Sequence, residues 1–309
     1  MLKKEQMIGP WAGLPIAWKE DYSFDEKTYR EDVASCCEAR VPGVYTGGTT
    51  GEFYALEFDE FKAVTDATIA ECRNGNTPVM IGCSSTFTLG VIKRARYAME
   101  KGADAIQVAL PFWMDVPDRC VVDFFAEVSE SVPGMPISIY ETLRAKKAIS
   151  IEQHKAIKQR VPAVISVKSN EGTVGATPEG CAELSKLYNV FSSETQLIEL
   201  GPSGLIGSCS SLVYQNPRLL LHMYELLYAK KWEELKPWMD KLNRLVFEGL
   251  KPCFDADCVD SAIDRLIGLS AGFLKTSLLC RGPYPPCTPE MLDGFRNWLR
   301  NNMPEFLEL

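Results

Sequence analysis

Two residues, a lysine and a tyrosine, stand where they could do chemistry together. Lys168 closes the apolar run Val164-Ile165-Ser166-Val167-Lys168, and Tyr140 closes Pro136-Ile137-Ser138-Ile139-Tyr140. An amine at the end of a buried strand is partly desolvated, which disfavours its charged form and lowers its pKa. A neutral amine is a nucleophile that condenses with a ketone to a Schiff base. A phenol beside it can move the protons of that condensation. The competing reading is a strand-end lysine whose head simply reaches water, and the rest of the sequence speaks against it.

Two more segments have useful chemistry. Gly47-Gly48-Thr49-Thr50-Gly51-Glu52 follows a strand-like run. Its glycines let backbone N–H groups approach a ligand, and its threonines add hydroxyl donors. Such a loop can form a nest that holds a carboxylate without an arginine. Pro111-Phe112-Trp113 ends another run. Glu52 is either a general base or, the commoner use of an acid ahead of a helix, an anchor for backbone amides.

These residues need elements to position them. β-branched runs at Gly13 to Ala17, Gly43 to Tyr45, Val79 to Gly82, Ala105 to Ala109, Ile137 to Tyr140, Val164 to Lys168, Asn189 to Ser192 and Leu205 to Ser208 read as strands. Helical patterns alternate with them, among them Glu26 to Ala39, Asp59 to Cys72, Leu89 to Lys101 and Arg119 to Ser131. Lys101-Gly102 reads as a helix C-cap. Eight such repeats predict an α/β fold, a parallel (β/α)8 or TIM barrel, over residues 1–216. An open doubly wound sheet usually carries a GxGxxG turn after an early strand, and the loop at 47–52 is not one. From Pro217 the strands stop and helices dominate, at Leu219 to Ala229, Trp232 to Phe247, Val259 to Ile267 and Pro289 to Asn301. Residues 217–309 are therefore expected to form a C-terminal helical appendage.

Composition narrows the function classes. The 309 residues carry a formal net charge of −8, which argues against a nucleic-acid or anionic-membrane surface. No run of eighteen apolar residues occurs, so no membrane span is expected, and the N-terminus does not read as a signal peptide. The eleven cysteines are scattered, contain no CxxC pair and have only His154 and His222 as companions. They read as small core residues of a reducing, cytoplasmic setting and not as a zinc site.

Taken together, the chain resembles the dihydrodipicolinate synthase and N-acetylneuraminate lyase superfamily of Schiff-base (β/α)8 enzymes, from its first strand to the Arg281–Pro286 turn. The resemblance implies that Gly48, Thr49 and Thr50 grip the carboxylate of pyruvate or another 2-oxo acid. It also implies that Lys168 forms the Schiff base, that Tyr140 shuttles protons, and that Ile206, in Gly204-Leu205-Ile206-Gly207, lines the pyruvate pocket. It calls for no metal or organic cofactor, for pyruvate and an aldehyde as small-molecule partners, and for a homotetramer or homodimer. The departures concern the second substrate. Phe112-Trp113 stands where the synthases carry two tyrosines, and an indole N–H cannot shuttle a proton near neutral pH. Ala145 takes the place of the synthase arginine, with Arg144 one step earlier. Glu141-Thr142-Leu143 replaces Asn-Val-Pro, and Ser192-Ser193-Glu194 replaces Gly-x-Asp. Trp113 is similar to the tryptophan of the hydratase-aldolase branch; the alternative is that Phe112 and Trp113 pack at a subunit interface, where aromatics are common. The expected activity is thus a lyase or aldolase acting on a carbon–carbon bond of a 2-oxo acid. Dihydrodipicolinate synthesis, a sugar-acid aldolase or dehydratase, and a non-enzymatic ligand-binding homologue are the alternatives.

Overall fold

The computed structural model of the protein describes residues 2–308. Its strands are β1 (Gly9–Gly13), β2 (Val44–Thr46), β3 (Val79–Gly82), β4 (Ala105–Val108), β5 (Ile137–Glu141), β6 (Val164–Ser169), β7 (Asn189–Phe191) and β8 (Leu205–Ser210). They follow one another in sequence order and the sheet closes on itself. Helices α1 (Glu26–Glu38), α2 (Phe58–Asn74), α3 (Thr88–Lys101), α4 (Asp118–Ser131), α5 (Ile151–Arg160), α6 (Pro178–Ser185), α7 (Leu197–Leu200) and α8 (Pro217–Tyr228) each come after a strand. Helices α9 (Trp232–Arg244), α10 (Lys251–Asp255), α11 (Asp260–Ala271) and α12 (Pro289–Asn302) complete the chain. This is a (β/α)8 barrel with additional C-terminal helices.

Local chemistry accounts for the boundaries. Asp25, Ser150, Thr177, Asn216 and Thr288 each cap a helix by accepting a hydrogen bond from a first-turn backbone N–H. Gly102 ends α3 in the left-handed region, as its position after Lys101 foretold. Two expectations fail. The first strand is Gly9–Gly13 and not Gly13 to Ala17. Its Gly-Pro-Trp-Ala-Gly sequence reads as a turn, yet all five residues are buried. Trp11 packs where Gly43 has no side chain: a Cβ there would lie 2.4 Å from the indole. The helix expected to reach Phe247 ends as α-helix at Arg244 and continues as a wider turn, Leu245–Gly249. There Gly249 packs against Trp298, whose ring a Cβ would approach to 2.8 Å.

Two compact units make up the chain. One is Pro78–Cys209 together with the N-terminal stretch up to Gly9. Hydrogen-bonded register aligns Gln107, Ser138, Ser166 and Asn189 across β4 to β7, and aligns Tyr140, Lys168 and Phe191 two residues further along β5 to β7. The N-terminal stretch packs against the first of these rows. Asn189 Nδ2 donates to the carbonyls of Lys4 (2.6 Å) and Met7 (2.8 Å), and Ser166 Oγ reaches Met7 Sδ at 3.1 Å. The other unit is Pro10–Thr77 with the chain from Ser210 onward. Within it, Tyr214 donates to the carbonyl of Gly13 at 2.9 Å. Asp32 accepts from the amides of Lys275 (2.6 Å) and Thr276 (3.1 Å).

Nine of the eleven cysteines are buried; Cys120 and Cys209 are half-exposed. Among the described residues no helix is long and apolar enough to cross a membrane.

Candidate active site

The β5–β6 pair positions the lysine and the phenol. Tyr140 and Lys168 are register partners at the C-terminal ends of adjacent parallel strands, the end at which (β/α)8 enzymes do their chemistry. Lys168 Nζ lies 4.6 Å from the Tyr140 ring centroid, over its face. In this arrangement the ring holds an ammonium electrostatically, and the phenol stays beside whatever the amine binds. Tyr140 is buried and Lys168 half-buried.

Immediately behind this pair, Glu141 ties the strand ends together. Its Oε1 accepts from the Ile149 amide at 2.8 Å, and its Oε2 lies 3.3 Å from His154 Nε2 and 3.5 Å from Ser169 Oγ. Glu141 and His154 are both buried. The residue that departs from the Asn-Val-Pro pattern thus joins β5, β6, α5 and the loop that carries Arg144. A further polar contact lies inside the barrel strands: Gln107 Nε2 donates to Cys209 Sγ at 3.5 Å.

The glycine–threonine loop belongs to the other unit. Gly47 has φ 76°. Gly48 has to be glycine on space alone, because a Cβ would fall 1.2 Å from the Tyr45 hydroxyl. Thr49 and Thr50 are half-buried. The Thr50 hydroxyl departs from expectation: it donates to Asp264 Oδ2 at 2.5 Å, so its proton is committed to a carboxylate of α11. Glu52 is an anchor and not a base. It is wholly buried, Oε1 accepts from Trp18 Nε1 at 3.1 Å and forms an ion pair with Arg265, and Oε2 accepts from the Arg281 amide at 3.0 Å. Arg281 in turn stacks on Trp18, 3.9 Å from the ring centroid, and pairs with Glu60.

The remaining expected residues are more peripheral. Trp113 is 73% exposed; Lys146 Nζ lies 5.5 Å from its ring centroid and donates to its carbonyl at 2.6 Å. Arg144 is exposed on the short turn Leu143–Ala145, whereas Ala145 is buried. Ile206 is half-buried on β8. The structure therefore brings Tyr140 and Lys168 into contact and leaves Trp113 and Arg144 on exposed loops. Asp264, Gln107 and the Glu141–His154 pair were missed by sequence reasoning. Asp264 is 214 positions from the threonine it binds, and Gln107 carries no signal until the strands are put in register.

A lysine laid over a phenol at the strand ends of a (β/α)8 barrel defines a lyase of the Schiff-base aldolase class. The family model for the dihydrodipicolinate synthetase family matches residues 11–301, and the chain belongs to that family. An uncharacterized DapA-like lyase of Pyrococcus abyssi is 25% identical over 300 residues, 93% of this chain and 94% of that protein. The 4-hydroxy-tetrahydrodipicolinate synthase of Methanopyrus kandleri is 28% identical over 74% of this chain and 77% of its own length. Among solved structures, that of YagE, a prophage protein of E. coli K12 in complex with pyruvate, superposes with a TM-score of 0.85 at 17% identity, covering 98% of this chain and 99% of its own. At that identity the superposition speaks for the fold.

Proposed function

We propose that the enzyme cleaves 4-hydroxy-2-oxo acids with a bulky or aryl tail into pyruvate and an aldehyde, and makes dihydrodipicolinate poorly. The contact between Lys168 and Tyr140 carries the Schiff-base part of this reading. The Lys168 amine attacks the C2 carbonyl and water leaves, giving an iminium. Tyr140 gives its proton to the departing water and then, as the phenolate, takes that of the C4 hydroxyl as the C3–C4 bond breaks, and the electron pair moves into the iminium to form an enamine. Protonation at C3 and hydrolysis release pyruvate and restore the amine. Gly48, Thr49 and Thr50 are the groups this reading assigns to the substrate carboxylate, through backbone N–H donors. Ile206 is assigned to the wall around the pyruvate methyl.

Two replacements support the choice of substrate. Trp113 lacks a hydroxyl, and loss of a proton relay lowers a rate by roughly a hundredfold or more. Ala145 supplies no guanidinium, and losing one charge-assisted hydrogen bond costs about 1.5–3 kcal/mol. An indole face instead suits a flat, apolar tail. Trp113 and Met114 (each 73% exposed) and Leu143 (52%) also form the kind of apolar surface that packs in a homodimer or homotetramer.

The test has two parts. Borohydride with pyruvate is expected to leave a reduced three-carbon adduct on Lys168, absent from Lys168→Ala. Catalytic efficiency is then compared between pyruvate plus aspartate semialdehyde and a panel of 4-hydroxy-2-oxo acids that includes aryl members. Robust cyclised product with no cleavage of any panel member would replace this reading with the synthase, with Arg144 serving its second substrate.

A further inference from the structure

In a (β/α)8 barrel, inward side chains from alternate strands meet in layers of four, usually filled by Val, Ile and Leu. Gln107 of β4, Lys168 of β6 and Cys209 of β8 come from alternate strands. Gln107 Nε2 spans the barrel to Cys209 Sγ at 3.5 Å, and the Lys168 charge acts on the same thiol. The layer of the reactive lysine thus holds an amide and a thiol in place of aliphatic packing.

Around Gln107, hydrogen bonding is incomplete. Gln107 is 1% exposed, yet its Oε1 has no hydrogen-bond partner among the described residues, and neither does Oγ of the buried Ser138, its register partner on β5. A buried polar atom left unpaired costs about 1–3 kcal/mol, and such sites point to a ligand. Of the two half-exposed cysteines, Cys120 lies on α4 and Cys209 on a barrel strand. Burial pushes the Cys209 thiol above its ordinary value, while the Lys168 charge and the Gln107 amide pull it back. Such a thiol is a weak general nucleophile and needs an acceptor delivered to it.

We propose that Cys209 is a covalent modification site for α,β-unsaturated 2-oxo acids held on Lys168. These acids are what a 4-hydroxy-2-oxo acid becomes when it loses water, so the site would act as a brake driven by the enzyme's own substrate class. The proposal rests on the Schiff-base reading. With C2 held as an iminium, C4 is electron-poor. Sγ forms a bond to C4, the C3=C4 π pair moves to C2–C3, and the C2=N pair moves to nitrogen, giving an enamine. The thiol proton ends on C3, and hydrolysis of the resulting iminium frees Lys168 and leaves a thioether on Cys209. No oxidant is consumed. The Gln107 N–H steadies the negative charge that develops on sulfur.

The test uses the full chain and 4-phenyl-2-oxobut-3-enoate as the probe, read by intact mass and peptide mapping. One adduct per chain is expected, at Cys209, absent from Cys209→Ser, and slowed at least tenfold both by excess pyruvate and by Lys168→Ala. Gln107→Leu is expected to slow it severalfold; mapping on the unaltered chain depends on no variant folding. An adduct at Cys120 instead, a Cys209 adduct whose rate ignores pyruvate and Lys168, or no adduct at all overturns the proposal. Borohydride trapping of pyruvate on wild-type Lys168 separates the two ideas. If that trap succeeds while Cys209 stays unmodified, only this proposal falls. If it fails, the Schiff-base reading falls, and lysine-dependent alkylation with it.

Discussion

Glu52 and Lys168 are both charged groups set into the protein interior, and their surroundings differ in kind. Around Glu52, an indole, a guanidinium and a backbone amide meet the two carboxylate oxygens, and Arg281, the source of that amide, is itself held by Trp18 and Glu60. Around Lys168, the amine rests on a ring face, the nearby amide keeps an oxygen without a partner, and the lysine stays half-buried. A wholly buried carboxylate met on both of its oxygens is fixed in one arrangement and serves as scaffold. A half-buried amine is still reached from solvent, and a ligand can reach it the same way. The family's glycine–threonine loop ends in the first kind of residue, and the β5–β6 pair presents the second.

The comparison breaks most visibly at Tyr140. Tyr140→Phe keeps the ring face beneath the amine and removes only the hydroxyl. Turnover is expected to fall about a hundred- to ten-thousand-fold, while pyruvate still becomes trapped on Lys168 by borohydride. A loss below tenfold would move proton transfer to another group. At the scaffold, Arg265→Met leaves the Glu52 carboxylate buried without its cation and is expected to cost about 3–5 kcal/mol, seen as a lower urea midpoint. Recovery of most of that loss in Glu52→Gln/Arg265→Met would sharpen the contrast, and a cost under about 1 kcal/mol would end it.

The smallest effect concerns Asp32, a carboxylate held by two backbone amides. Burial raises its pKa from 3.8 to about 6, against the pull of the Lys275 and Thr276 amides. The folded state therefore holds a proton that the unfolded chain has already released, and stability declines as pH rises through that window. The slope is expected to amount to no more than about 3 kcal/mol in total. Asp32→Asn should flatten it, as read from denaturant midpoints between the two pH limits; an unchanged slope would assign the effect elsewhere.

The order of strands and helices was legible because the period of apolar residues changes along the chain, and Lys168 and Tyr140 stood out as polar ends of apolar runs. The first strand was not legible, since Gly9 and Pro10 look like punctuation until Trp11 is seen filling the space beside Gly43. Thr50 was legible as a hydroxyl but not as a donor already engaged, because Asp264 arrives from a distant helix. Gln107 and Cys209 are 102 positions apart, and only strand tilt and closure bring such residues into one layer. Local pattern reports which face a residue takes; it does not report who meets it there.

Asn189, two residues before the β7 partner of Lys168, spends its amide on the carbonyls of Lys4 and Met7. Lys4 and Met7 are thus seated one row from the reactive amine. A substitution that loosens this stretch reaches toward the chemistry from behind. Its state becomes an experimental variable of the assay itself.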